Sequence, residues 1–267
     1  MAGKLTNYAE NKMLDHILKV ASFTRPTALF LAACDADPGE TATGGSISEP
    51  SGGNYARRPN DDWGAAASRA AANDAAVTFA TATALWGAMG YFAILDTLTL
   101  ATGNVIAYGA ISPARTISTG DQMIIAIGDE DVSVDAAGSS DFLANAMLDH
   151  LLADTPLGVP TAIFIGLATG AILDADTGTT ISEPGENYAR IQHDGFKIAA
   201  AGASSNSGTI VFAKATGGTW GTISHWACLN SSATGNLLIH AAVTTEKEIL
   251  VGDTGQWADG ALDITID

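Results

Sequence analysis

The first apolar pattern along the chain is that of a helix. In residues 9–20 the apolar side chains fall on one helical face, at Met13, Leu14, Ile17 and Leu18. Residues 141–153 repeat this face, at Met147, Leu148, Leu151 and Leu152. Pro156 follows the second segment and cannot continue a helix. The pattern therefore predicts one helix in each half of the chain.

Each predicted helix is followed by short apolar or alternating runs of strand length, which Gly and Thr residues separate. In the first half these runs are residues 27–34, 76–80, 90–96, 104–110, 122–127 and 132–135. The second half has comparable runs at residues 161–168, 209–213, 224–230 and 236–243. Many short strands with turns between them are typical of an antiparallel sandwich of the jelly-roll type, whose end or edge the helix would cover.

The two halves are copies of one module. Met13-Leu14-Asp15-His16 recurs at residues 147–150, a spacing of 134 residues (147 − 13). Ile47-Ser48-Glu49-Pro50 recurs at 181–184, Asn54-Tyr55-Ala56-Arg57 at 187–190, and Trp86-Gly87 at 220–221. We therefore predict a mainly β chain of two tandem antiparallel β-sandwich domains, jelly-roll-like, each with an N-terminal α-helix. The first comprises residues 1–135, the linker 136–141 and the second 142–267.

The net charge excludes two classes of partner, and the positions of the cysteines indicate their chemical state. The formal net charge is −17, so the chain should repel nucleic acid phosphates and anionic membrane surfaces, and we expect neither as a partner. Cys34 aligns with Ala168 and Cys228 with Ile94, so no disulfide is copied with the module. Both cysteines lie in apolar runs, and we expect them to be buried free thiols.

The residues chosen as interface candidates lie in the Asn-Tyr-Ala-Arg segments. They are Asn54, Tyr55, Arg57, Asn187, Tyr188 and Arg190. Tyr and Arg in a Gly-rich loop suit a protein interface, where both residue types are enriched. The alternative is structural: the tyrosine packs on the sheet, and the arginine pairs with a nearby carboxylate, Glu49 or Glu183.

Nothing in the sequence predicts catalysis. Asp15-His16 and Asp149-His150 are adjacent on a helix, so their side chains diverge by roughly 100°, which favours capping or docking over a catalytic pair. No Gly-x-Ser-x-Gly motif occurs, and the histidines lack metal-ligand spacing. We therefore predict no enzyme activity, no catalytic residue, no metal and no cofactor.

Two further features leave alternatives open. The acidic segments 35–40 and 174–178 could hold calcium, although acidic turns are the favoured interpretation. Trp86 and Trp220 occupy equivalent places and are expected to anchor the core, whereas exposed tryptophans would suit a sugar-binding platform.

The order of these motifs resembles a known family. The helix with Leu148-Asp149-His150, the loop ending in Asn187-Tyr188-Ala189-Arg190 and the turn Thr234-Gly235-Asn236 are similar to small structural proteins of caudate phages, often labelled tail fibre proteins. The resemblance runs from residue 148 nearly to the end. The first half matches more loosely, with Phe92 in place of Trp226. The resemblance implies a virion component without catalytic activity.

The resemblance leaves both capsid and tail open, and among virion surface proteins we expect a capsid decoration or cement protein that bridges capsomers on the particle surface. Its partners would be the major capsid protein and neighbouring copies of itself, as a trimer, in a virion assembled in the host cytoplasm. The alternatives are a tail or head fibre component that contacts the host, and a carbohydrate-binding module, which the same sandwich fold could support.

Overall fold

A computed structural model describes residues 2–136 and 138–266. These described residues are mainly β, with curled sheets in a sandwich-like arrangement and two short helices, so the predicted fold class is confirmed. Among the described residues, neither helix has the length and apolar character needed to cross a membrane.

Ten elements lie in the described part of the first half. They are β1 (Ala2–Leu5), α1 (Asn7–Ile17), β2 (Phe30–Cys34), β3 (Arg58–Pro59), β4 (Ala70–Ala72), β5 (Val77–Thr78), β6 (Gly87–Leu95), β7 (Val105–Ile117), β8 (Ile124–Ile125) and β9 (Asp131–Ser133). The second half contains α2 (Asp141–Leu151), β10 (Phe164–Ala168), β11 (Ile191–Gln192), β12 (Ala203–Ser205), β13 (Ile210–Val211), β14 (Gly221–Leu229), β15 (Leu237–Ile249), β16 (Gln256–Trp257) and β17 (Asp263–Thr265).

The chain divides into two compact units, and each unit includes the helix of the opposite sequence half. Unit 1 contains residues 1–10, 24–134 and 145–157, whereas unit 2 contains residues 11–23, 135–144 and 158–267. Most of α1 therefore belongs to the unit built on the second set of strands, and most of α2 to the unit built on the first. The predicted boundaries at residues 135 and 142 follow the sequence repeat and stay a prediction.

Unit 1 is organised by one seven-stranded sheet with the order β3-β2-β6-β7-β1-β9-β4. β6 and β7 pair antiparallel, with Phe92 opposite Gly109, and β1 extends the sheet from the other edge of β7. β1 and β9 are parallel neighbours, and β5 pairs separately with β8. The buried face of β2 and β6 carries Ala32, Cys34, Ala93 and Leu95 into a core cluster.

Unit 2 repeats this plan with a shorter continuous sheet. β11, β10, β14 and β15 form four strands in that order, while β12 pairs with β17 and β13 with β16. Residues 138–140 lie where β1 lies in unit 1: Ser139 bridges Ile239, and the Ser140 N–H donates to the Leu238 carbonyl. In both units, backbone pairing with the long strand β7 or β15 therefore comes immediately before the helix.

Both helices begin at a hydroxyl cap. The Thr6 hydroxyl oxygen accepts from the Ala9 N–H at 3.4 Å, and that of Ser140 accepts from the Leu143 N–H at 3.1 Å. This cap sets the start of α1 at Asn7, two residues before the predicted start. α1 ends early because Lys19 adopts a φ of 62°, and the Val20 N–H closes back on the Asp15 carbonyl.

The aromatic side chains form one cluster in each unit. Trp86 packs at 5.2 Å from Tyr55 and 6.1 Å from Phe79, and Trp220 makes the equivalent contacts with Tyr188 and Phe212. Both tryptophans are buried, which confirms the core interpretation and removes them as sugar platforms. Cys34 and Cys228 are buried free thiols, as expected, and burial raises the pKa of each to about 12.

Candidate functional site

The centre of the first Asn-Tyr-Ala-Arg loop (residues 54–57) is a fully buried arginine. The Arg57 guanidinium donates to both oxygens of Glu49, with the shortest contact at 2.6 Å. It also donates to the carbonyls of Thr97, Thr99 and Thr102 at 2.9–3.0 Å. One side chain therefore joins its own loop to the β6–β7 hairpin turn.

The second loop (residues 187–190) repeats the arrangement. Arg190 donates to both carboxylate oxygens of Glu183 at 2.9 Å and to the carbonyls of Ser231 and Thr234. A further bond reaches the Gly178 carbonyl, as Arg57 reaches that of Gly44. The equivalent loops are therefore held by the same buried cation in both units.

Each loop tyrosine forms a hydrogen bond with the carboxylate of the ion pair. The Tyr55 hydroxyl donates to Glu49 at 3.1 Å and accepts from the Ala33 N–H at 3.0 Å. The Tyr188 hydroxyl donates to Glu183 and accepts from the Leu167 N–H. Burial, followed by the neighbouring carboxylate, raises the pKa of both tyrosines well above the usual value. They remain neutral hydrogen-bonding groups.

The two loop asparagines lie nearer the surface. Asn54 is exposed, has a φ of 64°, and donates to the Thr81 carbonyl at 3.3 Å. Asn187 is half-buried, donates to the Lys214 carbonyl at 2.7 Å and accepts from the Thr216 N–H at 2.9 Å. Asn54 therefore ties its loop to the segment between β5 and β6, and Asn187 ties its loop to the segment between β13 and β14.

The structure thus places the six candidate residues in two equivalent loops, with unequal access to solvent. Arg57 is 1% exposed and Arg190 is 6% exposed, so their guanidinium groups face inward, as the structural alternative described. The surface part of each loop is its asparagine and the adjoining glycine or glutamate. An interface role for these loops stays a prediction, in which the arginines would act by fixing the loop shape.

The Asp-His pairs bind backbone groups. The carboxylate of Asp15 accepts from the Ala199 N–H at 2.8 Å, and that of Asp149 from the Ala66 N–H at 2.6 Å. His16 Nδ1 accepts from the Phe23 N–H at 2.9 Å, and His150 makes the equivalent bond to Leu157. The predicted docking and capping role is therefore confirmed, and the two side chains of each pair point to different partners.

In each acidic loop one aspartate closes its own turn. Asp37 accepts from the Gly39 N–H at 3.1 Å, and Asp176 accepts from the Leu173 N–H at 2.7 Å. Asp174 lies 3.1 Å from Nε2 of His240. Within residues 2–136 and 138–266, no three His, Cys, Asp or Glu side chains lie close enough together to hold a metal ion.

Two features were missed by the sequence interpretation. Glu130 is fully buried in unit 1 and accepts from the Asn60 amide at 2.9 Å, and burial raises its pKa to about 8. Trp257 in unit 2 is half-buried beside Phe212 and lines an open cavity of about 290 Å³. Neither residue has a counterpart of its type in the other repeat, so the duplication could not single them out.

Comparison with protein families identifies the chain. The family described as "Podophage GP4 fiber I protein gp80" matches residues 4–133 and, a second time, residues 138–265. The two matches coincide with the two sequence repeats and cover almost the whole chain. A search of curated proteins found no match. The chain therefore belongs to the podophage GP4 fiber I protein gp80 family, as a tandem pair of its module.

Proposed function

We propose that this chain is a non-enzymatic structural subunit of a phage fibre that works through protein contacts. The observation that carries the proposal is the family match over both halves. Membership of a fibre family supports a role as a virion structural component, and the resemblance noted from the sequence agrees with this role.

The chemistry of the described residues is consistent with a structural role. The two buried arginines neutralise Glu49 and Glu183 and hold hairpin turns together. The helix aspartates and histidines bind backbone N–H groups. These groups stabilise loops and are not arranged around a reacting ligand.

Capsid decoration remains the alternative location on the particle. In that case the chain would bridge capsomers as a trimer, with the major capsid protein and its own neighbouring copies as partners. The family description favours the fibre, because it names a fibre protein. Both locations place the chain in the virion, and neither uses nucleic acid or membrane as a partner.

The location can be tested on purified particles. A gold-labelled antibody against the chain should mark fibres, and quantitative mass spectrometry should find far fewer copies than of the major capsid protein. Hundreds of copies spread over the head would support decoration and overturn the fibre assignment. Absence of the chain from purified particles would overturn both.

A second candidate function, carbohydrate binding, is favoured by the cavity in unit 2. Trp257 forms one wall together with Leu167 and Ile223, and exposed Thr244 and Gln256 supply hydrogen-bonding groups at its rim. An accessible indole beside polar groups suits the apolar face and the hydroxyls of a sugar.

This candidate is tested by glycan-array binding of the intact chain. Trp257→Ala should abolish any saccharide binding, whereas Val251→Ala, which changes an exposed residue outside the cavity lining, should leave it unchanged. No binding by the unaltered chain to saccharides of the host surface would remove the candidate.

A further inference from the structure

One stripe of polar side chains on α1 is used entirely within unit 2. Asn11 and Asp15 lie four residues apart on α1 and share one face, and Lys19 follows just beyond the end of the helix. Asn11 accepts from the Gly202 N–H at 2.9 Å, and Asp15 from the Ala199 N–H at 2.8 Å. Lys19 lies 3.1 Å from the carboxylate of Asp194.

The helix α2 binds unit 1 through the equivalent residues. Asn145 accepts from the Arg69 N–H at 2.8 Å, and Asp149 accepts from the Ala66 N–H at 2.6 Å. Arg25 adds an ion pair with Asp154 at 3.4 Å and a bond to the Leu152 carbonyl. Each helix therefore binds backbone groups that belong to the other sequence repeat.

The receiving element is a tight hairpin turn with the same geometry in both units. Ala67 and Ala70 exchange backbone hydrogen bonds, as do Ala200 and Ala203. The two residues between them have positive φ, which is characteristic of a type I′ turn: 52° and 66° in unit 1, and 50° and 69° in unit 2. The turn therefore presents two N–H groups to the asparagine and aspartate of the incoming helix.

The apolar face of each helix is buried in the same unit as these polar contacts. Met13, Leu14, Ile17 and Leu18 are at most 1% exposed, and they belong to unit 2. Met147, Leu148, Leu151 and Leu152 are fully buried, and they belong to unit 1. The apolar face of each helix is therefore buried in the unit that is built mainly on the strands of the other repeat.

We propose that the Asn-x-x-x-Asp helix and the type I′ turn form a coupling surface whose partner is a second copy of this module. We call the two couplings the α1 clip (Asn11, Asp15 and turn 199–202) and the α2 clip (Asn145, Asp149 and turn 66–69). Each module gives one helix and receives one. In this chain the two partners share one polypeptide, so the coupling forms at the high effective concentration that the short connection provides.

The proposal is tested on the full chain by cutting its connection after folding. A protease site inserted between Asp135 and Ala136, which are both exposed, allows cleavage of the purified protein into its two repeats. The cut protein should elute in size-exclusion chromatography, and appear in native mass spectrometry, at the mass of the uncut chain. Separation into single repeats at micromolar concentration would overturn the proposal.

Substitutions in both clips identify the contacts responsible. The quadruple variant Asn11→Ala, Asp15→Ala, Asn145→Ala and Asp149→Ala should release the repeats after cleavage at least ten times more readily than the unaltered chain. Asp37→Ala with Asp176→Ala removes two carboxylates that bind only their own turns, and it should leave the association unchanged.

A conservative variant covers the case in which the quadruple variant fails to fold. Asp15→Asn with Asp149→Asn retains an acceptor oxygen at each clip, so the cut protein should stay associated. If the cut protein with these two substitutions dissociates although its circular dichroism spectrum is native, recognition through the accepted N–H groups is contradicted. Circular dichroism of each uncut variant monitors the fold.

Discussion

The two repeats keep the same loop-fixing ion pair but bury it to different extents. In unit 1 the Arg57 and Glu49 side chains are 0% and 6% exposed, whereas in unit 2 those of Arg190 and Glu183 are 1% and 22% exposed. A second difference lies at equivalent positions further along, where unit 1 buries Glu130 and unit 2 buries Leu262. The duplication has preserved the polar contacts of the loops, while unit 1 buries its ionisable side chains more deeply.

The largest expected loss of stability comes from removing one partner of the more deeply buried ion pair. Arg57→Ala should lower the unfolding free energy by about 3–5 kcal/mol, because Glu49 is left buried without its cation. Arg190→Ala should cost less, because Glu183 reaches solvent. Urea denaturation of the two variants measures the difference.

The double replacement Arg57→Met with Glu49→Leu separates charge from packing. It removes both charges, so it should recover much of the loss caused by Arg57→Ala. A loss below about 1 kcal/mol for Arg57→Ala, or a larger loss for Arg190→Ala, would contradict the assigned difference in burial.

The second effect depends on pH and concerns Glu130. Its pKa is raised from 4.5 to about 8 by burial, so below pH 4.5 the carboxyl is protonated in both the folded and unfolded states. Between pH 4.5 and 8 only the unfolded state loses the proton, and stability therefore falls as pH rises, reaching the full penalty above pH 8.

Glu130→Leu copies the residue of unit 2 and removes this penalty. The variant should be more stable than the unaltered chain by at least about 2 kcal/mol at pH 8, and the gain should shrink toward pH 4. Thermal denaturation across this pH range measures it. Asp129→Leu, at the exposed neighbour, serves as the control, and a pH-independent difference for Glu130→Leu would refute the buried carboxyl as its source.

The smallest effect should be equal in the two halves. Thr6→Ala and Ser140→Ala each remove a helix cap, and each should cost about 1 kcal/mol. Thr6→Ser and Ser140→Thr should be nearly neutral, because they keep the hydroxyl. Clearly unequal losses in urea denaturation would show that the two caps contribute differently, despite their matching hydrogen bonds.

The sequence repeat predicted much of this architecture. The helical face at Met13 and Leu14, the Trp86 and Trp220 cores and the free thiols follow from apolar patterning, which reports burial directly. β1 was missed because four residues are too few to show a period. β7 and β15 were predicted too short, because most residues of their outer ends are exposed and show no continuous apolar pattern.

The features that could not be predicted depend on long-range pairing. Arg57 was correctly matched with Glu49 as one alternative, but its bonds to the Thr97 and Thr99 carbonyls come from a hairpin about forty residues away, which has no side-chain signal. The partner of Asp15 is the N–H of Ala199 in the other repeat. Because this donor is a backbone N–H, the contact cannot be predicted from the residue type.

Amide hydrogen exchange distinguishes whether each helix packs on the other repeat or on its own. In the unaltered chain the amides of Ala199, Gly202, Ala66 and Arg69 should all be protected. In the variant Asn11→Ala with Asp15→Ala, the amides of Ala199 and Gly202 should exchange at least tenfold faster while those of Ala66 and Arg69 stay protected. Faster exchange at Ala66 and Arg69 instead would show that α1 packs on its own repeat, and it would contradict the packing of α1 on the other repeat.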